Sequence, residues 1–99
     1  MNTIKQEKVC VFGLGFVGLT LSIILAERGY KVVGLETNSE VYKALKKKTP
    51  LIYEKNINKR FSKLIESKKI ILSKKLNKKL LSNIYIITVG TPLTIKKKM

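Results

Sequence analysis

The stretch Lys8-Val9-Cys10-Val11-Phe12-Gly13-Leu14-Gly15-Phe16-Val17-Gly18 decides the reading of the chain. Its apolar run, Val9 to Phe12, is the pattern of a strand covered on both faces. Three glycines follow as G-x-G-x-x-G, at Gly13, Gly15 and Gly18. A second apolar run, Leu19 to Ala26, then has the spacing and length of a helix. Strand, glycine turn and helix in this order form the first half of a dinucleotide-binding βαβ unit. Each glycine has a separate task. Gly13 permits the turn, Gly15 lets the main chain approach a pyrophosphate, and Gly18 lets the helix sit close to the strand. The helix then directs free N–H groups and the positive end of its dipole at the phosphates, which assigns the N–H groups of Phe16 and Val17 to them.

Working outward, the helix is expected over Phe16 to Arg28, with Val17, Leu21, Ile24 and Leu25 available for one face and Gly29 as its stop. Lys31 to Leu35 reads as a second strand, closed by Glu36. Thr37-Asn38-Ser39 offers N-cap chemistry for a helix through Val41, Ala44 and Leu45. Thr49-Pro50 breaks that helix. Ile57, Phe61, Leu64 and Ile65 fit one face of another, Ile70 to Leu72 is a brief strand, and Leu76, Leu80 and Leu81 fit a short helix. Ile84 to Val89 is a fourth strand, ending at Gly90-Thr91-Pro92. Strands alternating with helices give an α/β fold with a Rossmann-type parallel sheet, about four strands, helices on both faces and the order 3-2-1-4. Gly13 to Gly18, Glu36 and Gly90 to Pro92 then converge at the carboxyl ends of the strands. Glu36 lies 18 residues beyond Gly18. An acid there accepts hydrogen bonds from the adenosine ribose and repels a 2′-phosphate, selecting NAD over NADP. Nearby lysines, such as Lys31 and Lys43, weaken that exclusion.

Composition narrows the alternatives. The chain has 99 residues, enough for a single small domain, and no repeat or linker argues for a second. Its only cysteine is Cys10, and it has no histidine. A disulfide framework and a His–Cys metal site are excluded, and Cys10 reads as a small buried residue of the first strand. The net charge of +15 raises the question of nucleic acid. Only Arg28 and Arg60 are arginine, however, whereas readers of bases and phosphates favour its bidentate fork. The lysine runs at 46–48, 74–75, 78–79 and 96–98 read as solvated surface. No apolar run is long enough for a membrane span. The polar segment from Met1 to Lys8 lacks the apolar region of a signal peptide, which favours the cytoplasm.

The motifs together resemble the nucleotide-sugar 6-dehydrogenases, the UDP-glucose, GDP-mannose and UDP-N-acetylmannosamine dehydrogenases. Val9 to Leu19 looks like the opening of these enzymes, and Gly29-Tyr30-Lys31-Val32-Val33-Gly34 like the lead-in to their second strand. Pro50-Leu51-Ile52-Tyr53-Glu54 resembles their Pro-Ile-Tyr-Glu segment, and Val89-Gly90-Thr91-Pro92-Leu93 the loop after their fourth strand. The chain departs from the family at Glu36, where aspartate is usual, at Val41, where a basic residue is common, at Thr20, where proline is usual, and at Lys55 and Asn56, which replace proline and glycine.

The resemblance implies an NAD-binding domain with Gly13, Gly15, Phe16, Val17, Gly18 and Glu36 at the cofactor and Thr91 on its nicotinamide side. The family oxidises a sugar C6 alcohol twice, with two NAD, through a thiohemiacetal and a thioester on a cysteine supplied after this domain. No catalytic residue can be matched in this chain, and Cys10 lies in the wrong strand for that thiol. The expected arrangement is one truncated NAD-binding domain over residues 1–99, completed by a missing C-terminal half or by self-association. A non-catalytic NAD-sensing or subunit module and a lysine-rich nucleic-acid binder are the rival readings.

Overall fold

The computed structural model describes residues 7–47 and 55–88. In chain order they form β1 (Lys8–Phe12), α1 (Phe16–Glu27), β2 (Lys31–Leu35), α2 (Ser39–Lys46), α3 (Lys55–Glu66), β3 (Ile70–Ser73), a 3₁₀ turn (Lys78–Leu80) and β4 (Ile84–Ile87). The strands make one parallel sheet in the order β3-β2-β1-β4. This is the 3-2-1-4 order expected from right-handed crossovers. The segments Pro50 to Glu54 and Val89 to Leu93, which carry two of the family motifs, lie outside the described residues.

Helical elements cover the two sheet faces unequally. Val9, Val11, Val32 and Ile70 point to one face and are buried beneath Leu19 and Ile23 of α1, Leu45 of α2 and Phe61 and Leu64 of α3. Cys10, Val33 and Leu35 point to the other face, with Phe12 and with Leu80 of the 3₁₀ turn packed against them. The register carries Tyr85 and Ile87 of the edge strand β4 onto this second face. Both are exposed, Ile87 by 69 %.

The buried face of α1 differs from the expected one. Leu19, Ser22, Ile23 and Ala26 are buried with Gly18, while Val17 and Ile24 are exposed. The helix is apolar almost all round, so spacing alone does not select its inward side. The contact of Gly18 with the glycine turn selects it, because Gly18 must face β1. Ser22 causes no buried polar cost there, since its hydroxyl donates to Gly18 O at 2.8 Å. The short helix expected around Leu76 to Leu81 is reduced to the 3₁₀ turn, started by Asn77, whose side chain accepts from Lys79 N–H.

Two helices end in the same way. Past α1, Tyr30 N–H donates to Leu25 O and Gly29 N–H to Ala26 O, with Gly29 at φ 106°. Past α3, Lys69 N–H donates to Leu64 O and Lys68 N–H to Ile65 O, with Lys68 at φ 63°. Both are Schellman turns, each feeding a strand. The second places a lysine where a side chain is strained by about 1–2 kcal/mol. Lys68→Gly should therefore raise stability by about 1 kcal/mol once the extra chain entropy of glycine is deducted. Chemical denaturation of both chains measures it, and an unchanged midpoint would show the turn to be unstrained.

Candidate functional site

The glycine turn leaves β1 at its carboxyl end. Gly13 has φ 89°, and its N–H donates to Leu35 O at 2.9 Å, so the turn begins tied to β2. Leu14 is 1 % exposed and anchors the turn in the core. Gly15 is the N-cap of α1 with no side-chain cap, and the first turn of that helix holds no acidic residue. The first N–H groups of a helix have no acceptor within it. Those of Phe16 and Val17 thus belong to an uncapped helix end, on residues 62 % and 64 % exposed.

The glycines differ in what surrounds them. A Cβ at Gly15 would meet nothing within 4 Å, so this face of the turn is an open cradle. A Cβ at Gly18 would drive into the carbonyl oxygen of Gly13 and the hydroxyl of Thr88. Gly18 therefore serves the packing of α1 on the sheet, whereas Gly15 leaves room for something from outside.

Glu36 faces this cradle from the end of β2. Leu14 N–H donates to its Oε1 at 2.8 Å and Asn38 N–H to its Oε2 at 2.9 Å. The carboxylate is fixed in place, and each of its oxygens keeps capacity for a further hydrogen bond. Asn38 also starts α2, its Oδ1 accepting from Glu40 N–H and Val41 N–H, each at 3.0 Å. Of the three cap candidates in the sequence, Asn38 takes the role.

Between Glu36 and the turn lies a cleft of ≈ 390 Å³. Phe12, Leu35 and Val41 supply its apolar walls, and Gly13, Gly15 and Asn38 its polar rim. The volume falls within the roughly 300–1,000 Å³ of small-molecule sites, which are mostly apolar with a few placed polar groups. Sequence reasoning missed Phe12 and Leu35 as lining residues, because their spacing signals only strand burial.

The remaining expected positions sort clearly. Lys31 begins β2, at the opposite end of that strand from Glu36, and so does not bear on the cleft. Lys43 is exposed on α2. Lys74 is the basic group placed beside the start of α2, where its Nζ donates to Ser39 Oγ at 3.1 Å and lies 5.8 Å from the Tyr42 ring centre. Cys10 is fully buried in β1, and burial pushes its thiol pKa up, which suits an inert packing residue. Thr91 lies outside the described residues. Far from the cleft, Arg60 grips Glu27 through two hydrogen bonds of 2.8 and 2.7 Å. That bond lowers the Glu27 pKa, so its small contribution to stability is present at neutral pH and fades as acid protonates the carboxylate.

An uncapped helix end, an open backbone cradle and a fixed acid across an apolar cleft are the features expected of a dinucleotide site. The NAD-binding domain of the UDP-glucose/GDP-mannose dehydrogenase family matches residues 7–99. The chain belongs to this family.

Among curated relatives of this family member, the UDP-N-acetyl-D-mannosamine dehydrogenase of Pyrococcus horikoshii is 34% identical over 87 residues, covering 88% of the chain and 21% of the relative. That of Methanococcus aeolicus is 32% identical over 91 residues, covering 92% and 20%. The solved structure of the Pyrococcus horikoshii enzyme superposes with a TM-score of 0.78 at 35% identity, over 87% of the chain and 21% of that structure. The chain thus spans about a fifth of the length of the relatives it matches. The cofactor indicated for the family's domain is NAD. The cradle at Gly15 and the uncapped α1 fit it, since both are complementary to a pyrophosphate. Among the described residues, no helix is long and apolar enough to cross a membrane.

Proposed function

We propose that the chain serves as the NAD-binding part of a cytoplasmic nucleotide-sugar 6-dehydrogenase, of the UDP-N-acetylmannosamine type in the first instance. The observation that carries this reading is the open cradle at Gly15, with the α1 end on one side and Glu36 on the other. NAD, when bound, supplies the hydride acceptor. Around it, Gly15 gives the backbone its close approach, on a turn made by Gly13 and held to the sheet by Gly18, and the N–H groups of Phe16 and Val17 hold the pyrophosphate. Glu36 accepts from the ribose hydroxyls with the capacity left on its two oxygens. Thr91 approaches the nicotinamide side, by resemblance to the family.

Glu36 also sets the choice of nucleotide. A 2′-phosphate would enter beside a carboxylate that its two backbone donors hold in place. We expect NADH to bind at least about tenfold more tightly than NADPH, a difference of about 1.4 kcal/mol. Calorimetry with both nucleotides measures this, and equal affinities would remove Glu36 from its role.

The sugar chemistry lies elsewhere. Its nucleophile must be an accessible thiolate, and the chain's single cysteine is buried in β1. Incubation of this polypeptide with NAD and UDP-N-acetylmannosamine should yield no NADH above background. Sustained absorbance at the NADH band from clean protein would overturn that division of labour.

A further inference from the structure

We propose that Thr88 is a positioning residue of the cofactor site, its hydroxyl fixing the peptide plane between Gly13 and Leu14. The inference rests on the NAD reading above and assigns a role to a residue outside the glycine motif. Thr88 follows β4, and its N–H donates to Phe12 O at 2.8 Å. Its Oγ1 stands 2.7 Å from Gly13 O and 3.0 Å from Phe12 O. A hydroxyl has one proton to give. Phe12 O already accepts from the Thr88 backbone, so the proton goes to the nearer Gly13 O.

The other end of the same peptide is held as well, because Leu14 N–H donates to Glu36 Oε1 at 2.8 Å. One plane is therefore gripped from two strands, its carbonyl from the end of β4 and its N–H from the end of β2. The grip acts where the backbone most needs it. Gly13 sits at φ 89°, and an unrestrained glycine populates both signs of φ. Rotation of this plane would redirect the chain into Gly15 and the first turn of α1, the groups that must meet the pyrophosphate. Thr88 Oγ1 and Gly13 O are also the two atoms that a Cβ at Gly18 would strike. Strand end, glycine turn and helix start thus meet at one hydroxyl. A valine of the same shape would fill this space and leave Gly13 O without its donor.

The test uses the full chain as wild type, Thr88→Val and Thr88→Ser, with Thr88→Ala as a second hydroxyl deletion should the valine methyl not fit beside Gly18. Each is titrated with NAD by calorimetry, and hydrogen exchange of the Leu14 amide is measured without NAD. The hydroxyl deletions should fold with unchanged circular dichroism, bind NAD about tenfold more weakly and exchange the Leu14 amide faster. Thr88→Ser should restore both readouts to within about twofold of wild type. Wild-type affinity and exchange in a hydroxyl deletion would overturn the proposal, as would a loss that serine fails to rescue. If the wild-type chain itself binds no NAD, the cofactor reading fails, and the Leu14 exchange of the variants still decides whether the clamp exists.

Discussion

Gly18→Ala should destabilise the fold strongly, by about 3 kcal/mol or more. The added methyl would occupy the position of Gly13 O and Thr88 Oγ1. The first of these is backbone, fixed by the turn, and cannot swing aside as a long side chain would. Relief requires α1 to lift from the sheet, which separates Leu19, Ile23 and Ala26 from Val9, Val11 and Val32. Overpacking a core usually costs about 1–3 kcal/mol, and a clash with fixed backbone belongs at or above the top of that range. Native domains have only about 5–15 kcal/mol to lose, and a short chain lies toward the lower end. Urea denaturation followed by circular dichroism measures the change. A midpoint equal to that of the wild type would mean that α1 does not pack on the turn as described.

Gly15→Val should do the converse, abolishing NAD binding while leaving the fold intact. No atom lies within 4 Å of the position its Cβ would take, so the empty protein accommodates the side chain. Gly15 is also an N-cap with φ −75° and ψ −160°, a backbone conformation open to any L-residue. The valine would fill the space into which a pyrophosphate must come to reach the N–H groups of Phe16 and Val17. We expect a loss of at least about a hundredfold in affinity, which corresponds to about 2.8 kcal/mol. Calorimetry gives the affinity and thermal denaturation the stability. Binding retained at wild-type strength would place the phosphates elsewhere. The contrast between Gly15 and Gly18 separates the two uses of one motif, cofactor access and helix packing.

Much of this was legible in the sequence. Strand, glycine turn and helix fix β1 and α1, and right-handed crossovers then leave 3-2-1-4 as the expected order. The third helix was readable because Ile57, Phe61, Leu64 and Ile65 are the apolar residues of an otherwise polar and charged segment, so its buried side was unambiguous. The inward side of α1 was not, since a helix apolar on every side has no pattern to read. Lys68 was invisible as a helix stop, because its left-handed conformation comes from the Schellman hydrogen bonds and carries no glycine or asparagine signal. Glu36 was legible as an acid at a strand end. Its hydrogen bond to Leu14 depends on how far a glutamate reaches across the turn, and composition and spacing do not encode that distance. Thr88 gave no signal either, since a β-branched residue at a strand end needs no further explanation. The clamp it forms joins residues 75 positions apart, which only the parallel pairing of β1 with β4 brings together.

In the function proposed above, NAD occupies the cleft between the glycine turn and Glu36. Titration of the isotopically labelled full chain with NAD, followed by amide chemical shifts, tests it most directly. Saturable shifts are expected at Gly13, Gly15, Phe16, Val17, Gly18 and Glu36, with Arg60, Lys63 and Lys69 at the far end of the sheet unmoved. No saturable shift at these amides, or shifts confined to the lysine-bearing surface around Lys63 and Lys69, would contradict it.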